Sequence, residues 1–148
     1  MDILEVIHND HQAILQIINA LLDERLVLPR QRRAAFNDIK NELTPHMEAE
    51  EVHYYQFLLD TTLERETVLY ALEQHEMMRK MMVFSESLSV QDERWLPRVK
   101  LFSKLIQDHI EHEEGPLFKE SRRIMDAELR AVLAQEFEKL KESFKEKV

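Results

Sequence analysis

Apolar residues recur at the three-to-four-residue spacing of an amphipathic helix along nearly the whole chain. Leu4, Ile7, Ile14, Leu15, Ile18 and Leu21 form the first stripe and predict a helix over about 2–28, closed by Pro29. A second helix, about 30–59, places Phe36, Ile39, Leu43 and Phe57 on one face. Asp60, Thr61 and Thr62 break that pattern, and Thr61 with Glu64 has capping-box spacing, so a third helix is expected to start there. It carries Leu69, Leu72, Met82 and Val83 and fades at Ser85–Ser89. The fourth starts between Asp92 and Pro97, carries Val99, Phe102 and Ile106, and should kink or end at Gly115 and Pro116. A fifth, about 126–146, carries Leu129, Leu133, Phe137 and Leu140. Short connections make consecutive long helices antiparallel. The expected fold is all-α: one domain over 1–148, built as an up-down-up-down four-helix bundle (about 2–120) with an additional C-terminal helix (about 126–146) on its outside.

Polar residues interrupt these stripes at matching places. Core positions of a bundle recur every seven residues in two interleaved sets. In the second helix they run Phe36, Leu43, Glu50, Phe57 and Ile39, His46, His53; in the fourth, Phe102, His109 and Val99, Ile106, Glu113. His11 continues Leu4 and Ile18 in the first helix, and His75 lies between Val68 and Met82 in the third. His46 with Glu50 and His109 with Glu113 are four apart, on one helix face. The two segments are a repeat: His46-Met-Glu-Ala-Glu-Glu-Val-His-Tyr-Tyr55 aligns without gaps to His109-Ile-Glu-His-Glu-Glu-Gly-Pro-Leu-Phe118.

Heights agree as well. His11 lies 18 residues before Pro29 and His46 17 after it; His46 lies 15 before Thr61 and His75 14 beyond it. Around a break near Val90, His75 and His109 are 15 and 19 residues away. With a rise of about 1.5 Å per residue, antiparallel helices bring these histidines to one level. Burying ionised carboxylates together is strongly unfavourable, and a pair of divalent metal ions offsets that cost. His11, His46, Glu50, His75, His109 and Glu113 are therefore the candidate metal ligands. Imidazole and carboxylate suit iron, manganese or zinc.

Composition narrows the alternatives. The chain has no cysteine, which removes disulfides, thiolate zinc sites and iron–sulfur clusters. A single glycine leaves no phosphate-cradling loop or dinucleotide fingerprint, so any catalysis is expected to be redox chemistry of the metal. A net charge of −9 argues against nucleic-acid or anionic-membrane partners. Arg30, Arg32 and Arg33 read as the solvated start of the second helix. No apolar run approaches a membrane span, and the N-terminus lacks signal-peptide order, so a cytoplasmic location is expected. Met77, Met78, Met81 and Met82 read as core filler, and Trp95 as a packing residue.

Asp10-His11, His46-x-x-x-Glu50, Glu73-Gln-His75 and His109-x-x-x-Glu113-Glu114, in that order, resemble the hemerythrin-like, or HHE cation-binding, family. The resemblance implies a non-haem di-iron centre of two iron ions, with the four histidines terminal and Glu50 and Glu113 bridging. It implies a small diatomic ligand or peroxide as partner, or a role in iron handling. Oxygen-carrying hemerythrins have a further histidine one turn after the third-helix ligand; here Arg79 stands there, which weighs against reversible oxygen carriage. His8, His53 and His112 are expected to be structural or to support the ligands. Two rivals stand beside this reading. One is a ferritin-like di-iron oxidase or iron-storage protein, for which Glu50-x-x-His53 has the right spacing. The other is a metal-free helical interaction module.

Overall fold

The computed structural model describes residues 1–146, and among them there is no strand. Helix α1 (Ile3–Leu21) begins where the Asp2 carboxylate caps the Leu4 N–H at 2.7 Å. Helix α2 (Pro29–Glu50) starts on a proline, whose missing N–H costs nothing in the first turn. It runs on through a π-helical turn (Glu51–Tyr55) into α3 (Gln56–Thr61). Helix α4 (Arg65–Glu86) follows, then α5 (Trp95–His112), a second π-helical turn (Glu113–Leu117), α6 (Phe118–Ile124) and α7 (Ala127–Glu146). Helices α1 and α2 pack as one antiparallel pair and α4 and α5 as another, and the pairs close on each other through α1–α5 and α2–α4.

Several expectations need correction. Gly115 and Pro116 do not end the fourth helix. The wider π turn carries the backbone past the missing proline N–H, and the helix continues to Ile124. Thr62, not Thr61, accepts the N–H of Glu64 (2.9 Å); Thr61 bonds back to the Phe57 carbonyl. On α4, Leu69 and Val83 face outward, and the buried stripe is Val68, Ala71, His75, Met78 and Met82. Arg32 is a staple rather than a solvated residue: it donates to the carbonyls of Leu26 and Val90 and stacks on Trp95, joining the loops at one end of the bundle.

Helix α7 is more than an outer addition. It lies against α1 and α2 and fully buries Phe137. No helix among the described residues is long and apolar enough to cross a membrane.

The core is split in two. One apolar block gathers Ile3, Ile7, Tyr54, Tyr55, Leu58, Leu117 and Phe137; the other gathers Ile14, Ile18, Leu43, Met78, Trp95 and Phe102. The chain's inward histidines fall between the blocks, His11 separating Ile7 from Ile14.

Candidate metal centre

All six predicted residues meet in that polar layer, each at most 2% exposed. His11, His46, Glu50 and Glu113 offer ligand atoms within 4.8 Å of one another, and so do Glu50, His75, His109 and Glu113. Glu50 and Glu113 belong to both groups.

Each histidine is held by its Nδ1. His11 Nδ1 lies 2.6 Å from Glu114 Oε2 and His46 Nδ1 2.8 Å from Asp10 Oδ2. His75 Nδ1 lies 2.7 Å from Glu51 Oε2, and His109 Nδ1 2.7 Å from Gln74 Oε1. All four anchors are acceptors, so Nδ1 carries a proton and, in the neutral ring, Nε2 is left as a lone pair. The anchors repeat across the pseudo-twofold of the bundle: Glu51 and Glu114 match in the sequence repeat, while Asp10 and Gln74 each directly precede the histidine of their own helix and anchor the histidine of a neighbouring one.

The four Nε2 atoms converge on carboxylate oxygens. His11 Nε2 is 3.0 Å from Glu113 Oε1, and His46 Nε2 is 3.0 Å from Glu50 Oε1. His75 and His109 face each other with their Nε2 atoms 3.1 Å apart. Yet His11 Nε2, His46 Nε2, both Glu50 oxygens and Glu113 Oε1 make no hydrogen bond despite complete burial. Buried polar groups without partners are rare and costly. Lone pairs aimed at one another need a cation or a proton between them, and nitrogen and carboxylate donors of this kind fit a divalent or trivalent metal.

The titration behaviour of the chain reflects the same crowding. Glu50 is pushed well above the usual carboxylate range by burial and by the facing charge of Glu113. Burial acts the same way on Glu113, but the close approach of the Glu50 carboxyl and of the His109 and His11 imidazoles holds it well below that range. Burial would depress His11, but Glu113 and Glu114 overcome it and raise the imidazole to about 9. Burial lowers His75 to about 4, helped by His109 and only partly opposed by Glu51.

Tyr55 is the residue that sequence reasoning left unplaced. Its hydroxyl donates to Glu113 Oε2 and lies 3.3 Å from His75 Nε2 and 3.4 Å from His109 Nε2. A π turn holds about one residue more than an α turn. After Glu50 the inward stripe therefore shifts by one, and Tyr54 and Leu58 occupy the places that the seven-residue series gives to His53 and Phe57. His53 is left half-buried and outside both groups. The available signal was the repeat itself, in which Tyr55 aligns with Phe118.

The other histidines take supporting places. His8, largely exposed, bonds Glu114 Oε1 at 2.7 Å, and His112 Nε2 donates to the Thr67 carbonyl at 2.9 Å. Arg79 reaches neither Glu50 nor Glu113: its Nη2 lies 2.6 Å from Glu51 Oε2, with Glu48 and Glu76 nearby. Tyr70 is 56% exposed and points away from the layer, against His112.

The profile described as the hemerythrin HHE cation binding domain matches residues 2–121. The chain belongs to this family. It is a metal-binding, hemerythrin-like helical bundle, and the HHE match runs from α1 into α6 and stops short of α7. Among curated proteins it is similar to a DNA nickase of Nostoc sp. (strain PCC 7120), 27% identical over 148 residues. That alignment covers all of this chain but 41% of the relative, so the chain spans about two fifths of the relative's length. No solved structure matches.

Proposed function

We infer that this HHE domain is a non-haem di-iron protein that binds or senses oxygen, nitric oxide or peroxide, or handles iron. The observation that carries the reading is the sharing of Glu50 and Glu113 between two ligand groups, the arrangement that two bridging carboxylates require. His11 and His46 would complete one metal position, and His75 and His109 the other. Tyr55 Oη, beside the second pair, offers a fifth donor there; this favours iron over a closed four-coordinate zinc site. Bound iron would supply one-electron redox chemistry and open positions for a small ligand. The chain's own part is to fix each imidazole by its Nδ1, to exclude bulk water by burial, and to present the Tyr55 hydroxyl proton at Glu113.

The ferritin-like alternative is less well supported, because His53 stands outside both groups and the Glu50-x-x-His53 pair does not assemble. The nicking activity in the relative's name belongs to a much longer protein. A net charge of −9 does not favour a DNA substrate here. The test is metal content of the purified chain together with its visible spectrum in air. About two irons per chain, with bands that move on adding azide or nitric oxide, are expected. No transition metal after anaerobic iron loading would return the chain to the interaction-module reading.

A further inference from the structure

Helix α7 lies outside the stretch matched by the family, yet it reaches the ligand layer. Its Lys141 is 7% exposed, and Lys141 Nζ lies 2.7 Å from Asp10 Oδ1. The other oxygen of Asp10 holds His46 Nδ1 at 2.8 Å. One turn earlier Phe137 is fully buried, its ring edge-on to His46 with centroids 5.9 Å apart. Asp10 itself is 6% exposed. A buried carboxylate with one partner removed is left with an uncompensated charge and freedom to turn. The charged groups acting on Lys141 are Asp10, Glu138 of its own helix at 3.8 Å and, further off, Glu42 of α2, so Asp10 is its nearest charged partner.

The other anchors are held differently. Arg79 of α4 holds Glu51, the exposed His8 bonds Glu114, and the anchor of His109 is the neutral Gln74. Only His46, among the described residues, has an anchor whose cation comes from beyond the family match.

We propose that Lys141 is a positioning residue for the metal centre, which locks Asp10 and thereby His46, so that docking of α7 selectively controls the metal position made by His11 and His46. The proposal rests on the two-metal reading above. Outer partners of metal-bound histidines commonly govern affinity by about 10- to 100-fold. Here that effect is concentrated on one of the two positions: α7 also packs against the π turn that begins at Glu51, but the Glu51 carboxylate is bonded by His75 and Arg79, and Gln74 Oε1 by His109, none of them on α7.

The test titrates the metal-free full chain with cobalt(II) alone, following binding by calorimetry and by the cobalt visible spectrum, with circular dichroism to verify folding. The wild type is expected to take two ions. Lys141→Met should keep one ion at near wild-type affinity and bind the second about tenfold or more weakly. Lys141→Arg should restore the second ion. Lys141→Gln, a milder packing change, is measured in parallel and judged by the same criterion should Lys141→Met not fold. Arg130→Gln cuts a separate tie of α7, its 2.6 Å contact to Asp2, and should leave both ions unchanged. Two ions at wild-type affinity in Lys141→Met and Lys141→Gln, equal weakening of both ions, or the same selective loss in Arg130→Gln would each overturn the proposal alone. A wild type that takes fewer than two ions would overturn the di-metal reading and the proposal with it.

Discussion

Tyr55 donates its hydroxyl proton to the buried carboxylate of Glu113, 3.3 Å from the Nε2 atom of His75. The residue aligned with it in the repeat, Phe118, has no oxygen to offer. The two halves of the metal layer are thus alike in histidines and carboxylates and differ by one phenol. Tyr55→Phe should keep the fold and the total iron, and lose any visible band arising from charge transfer between phenolate and ferric iron. The loss of the hydrogen bond to Glu113 should cost the metal-free chain about 1–3 kcal/mol. An unchanged spectrum of the iron-loaded variant would show that the phenol does not ligate.

Glu50 is fully buried, and neither of its oxygens has a hydrogen-bond partner. Glu50→Gln removes an oxygen shared by both metal positions, so both ions should be lost together, whereas His46→Ala should weaken mainly one. In the metal-free chain the same substitution relieves a crowded carboxylate pair, and stability should stay level or rise by about 1–2 kcal/mol. Metal analysis and urea unfolding measure the two effects. Retained metal in Glu50→Gln would reject the bridging role.

Arg79 acts from the rim. Its Nη2 is 2.6 Å from Glu51 Oε2, the oxygen that also holds His75 Nδ1 at 2.7 Å. Arg79→Met should loosen His75 and weaken metal at the His75/His109 position several-fold, with little change in thermal stability because the arginine is part-exposed. Arg79→His should not act as a simple added ligand, since Tyr55 already stands beside His75 and His109. Competition against a chelator would read both variants. A wild-type affinity in Arg79→Met would detach this arginine from the site.

In the metal-free chain His75 and His11 should pull stability in opposite directions with pH, and the raised carboxyl of Glu50 should act in the same sense as His11. His75 is held at about 4, below its unfolded value near 6.5, so the unfolded state binds more protons between them and this contribution is lost as pH falls through that window. His11 is raised to about 9, so its contribution is present below 6.5 and lost as pH rises toward 9. Each amounts to roughly 3 kcal/mol at its extreme. Urea midpoints at pH 5, 6.5 and 8.5 test this, and His11→Gln should reduce the alkaline slope, leaving the part that belongs to Glu50. An alkaline slope unchanged in His11→Gln would assign it to another group.

The seven-residue spacing of apolar positions was enough to specify an all-helical bundle, and the polar interruptions of that spacing named the six residues of the layer. Both are properties of helix geometry: a residue's face and height follow from its place in the chain. Spacing alone failed where the backbone left the α-helical period. The two π turns move the inward face by one residue, so His53 drops out and Tyr54 and Tyr55 turn in, and Pro116 is accommodated where a kink or an end was expected. The anchors were equally hidden, because Asp10, Glu51, Gln74 and Glu114 act on helices other than their own. Lys141 is the extreme case, 131 positions from Asp10 in the chain and 2.7 Å away in space. The sequence by itself determined which side chains share a level inside the bundle; only the packing of helix against helix decided which atom of each is held, which is left facing its neighbours, and which distant cation secures it. A hydrogen bond between helices depends on their mutual rotation and separation, and no periodicity within one helix contains that information.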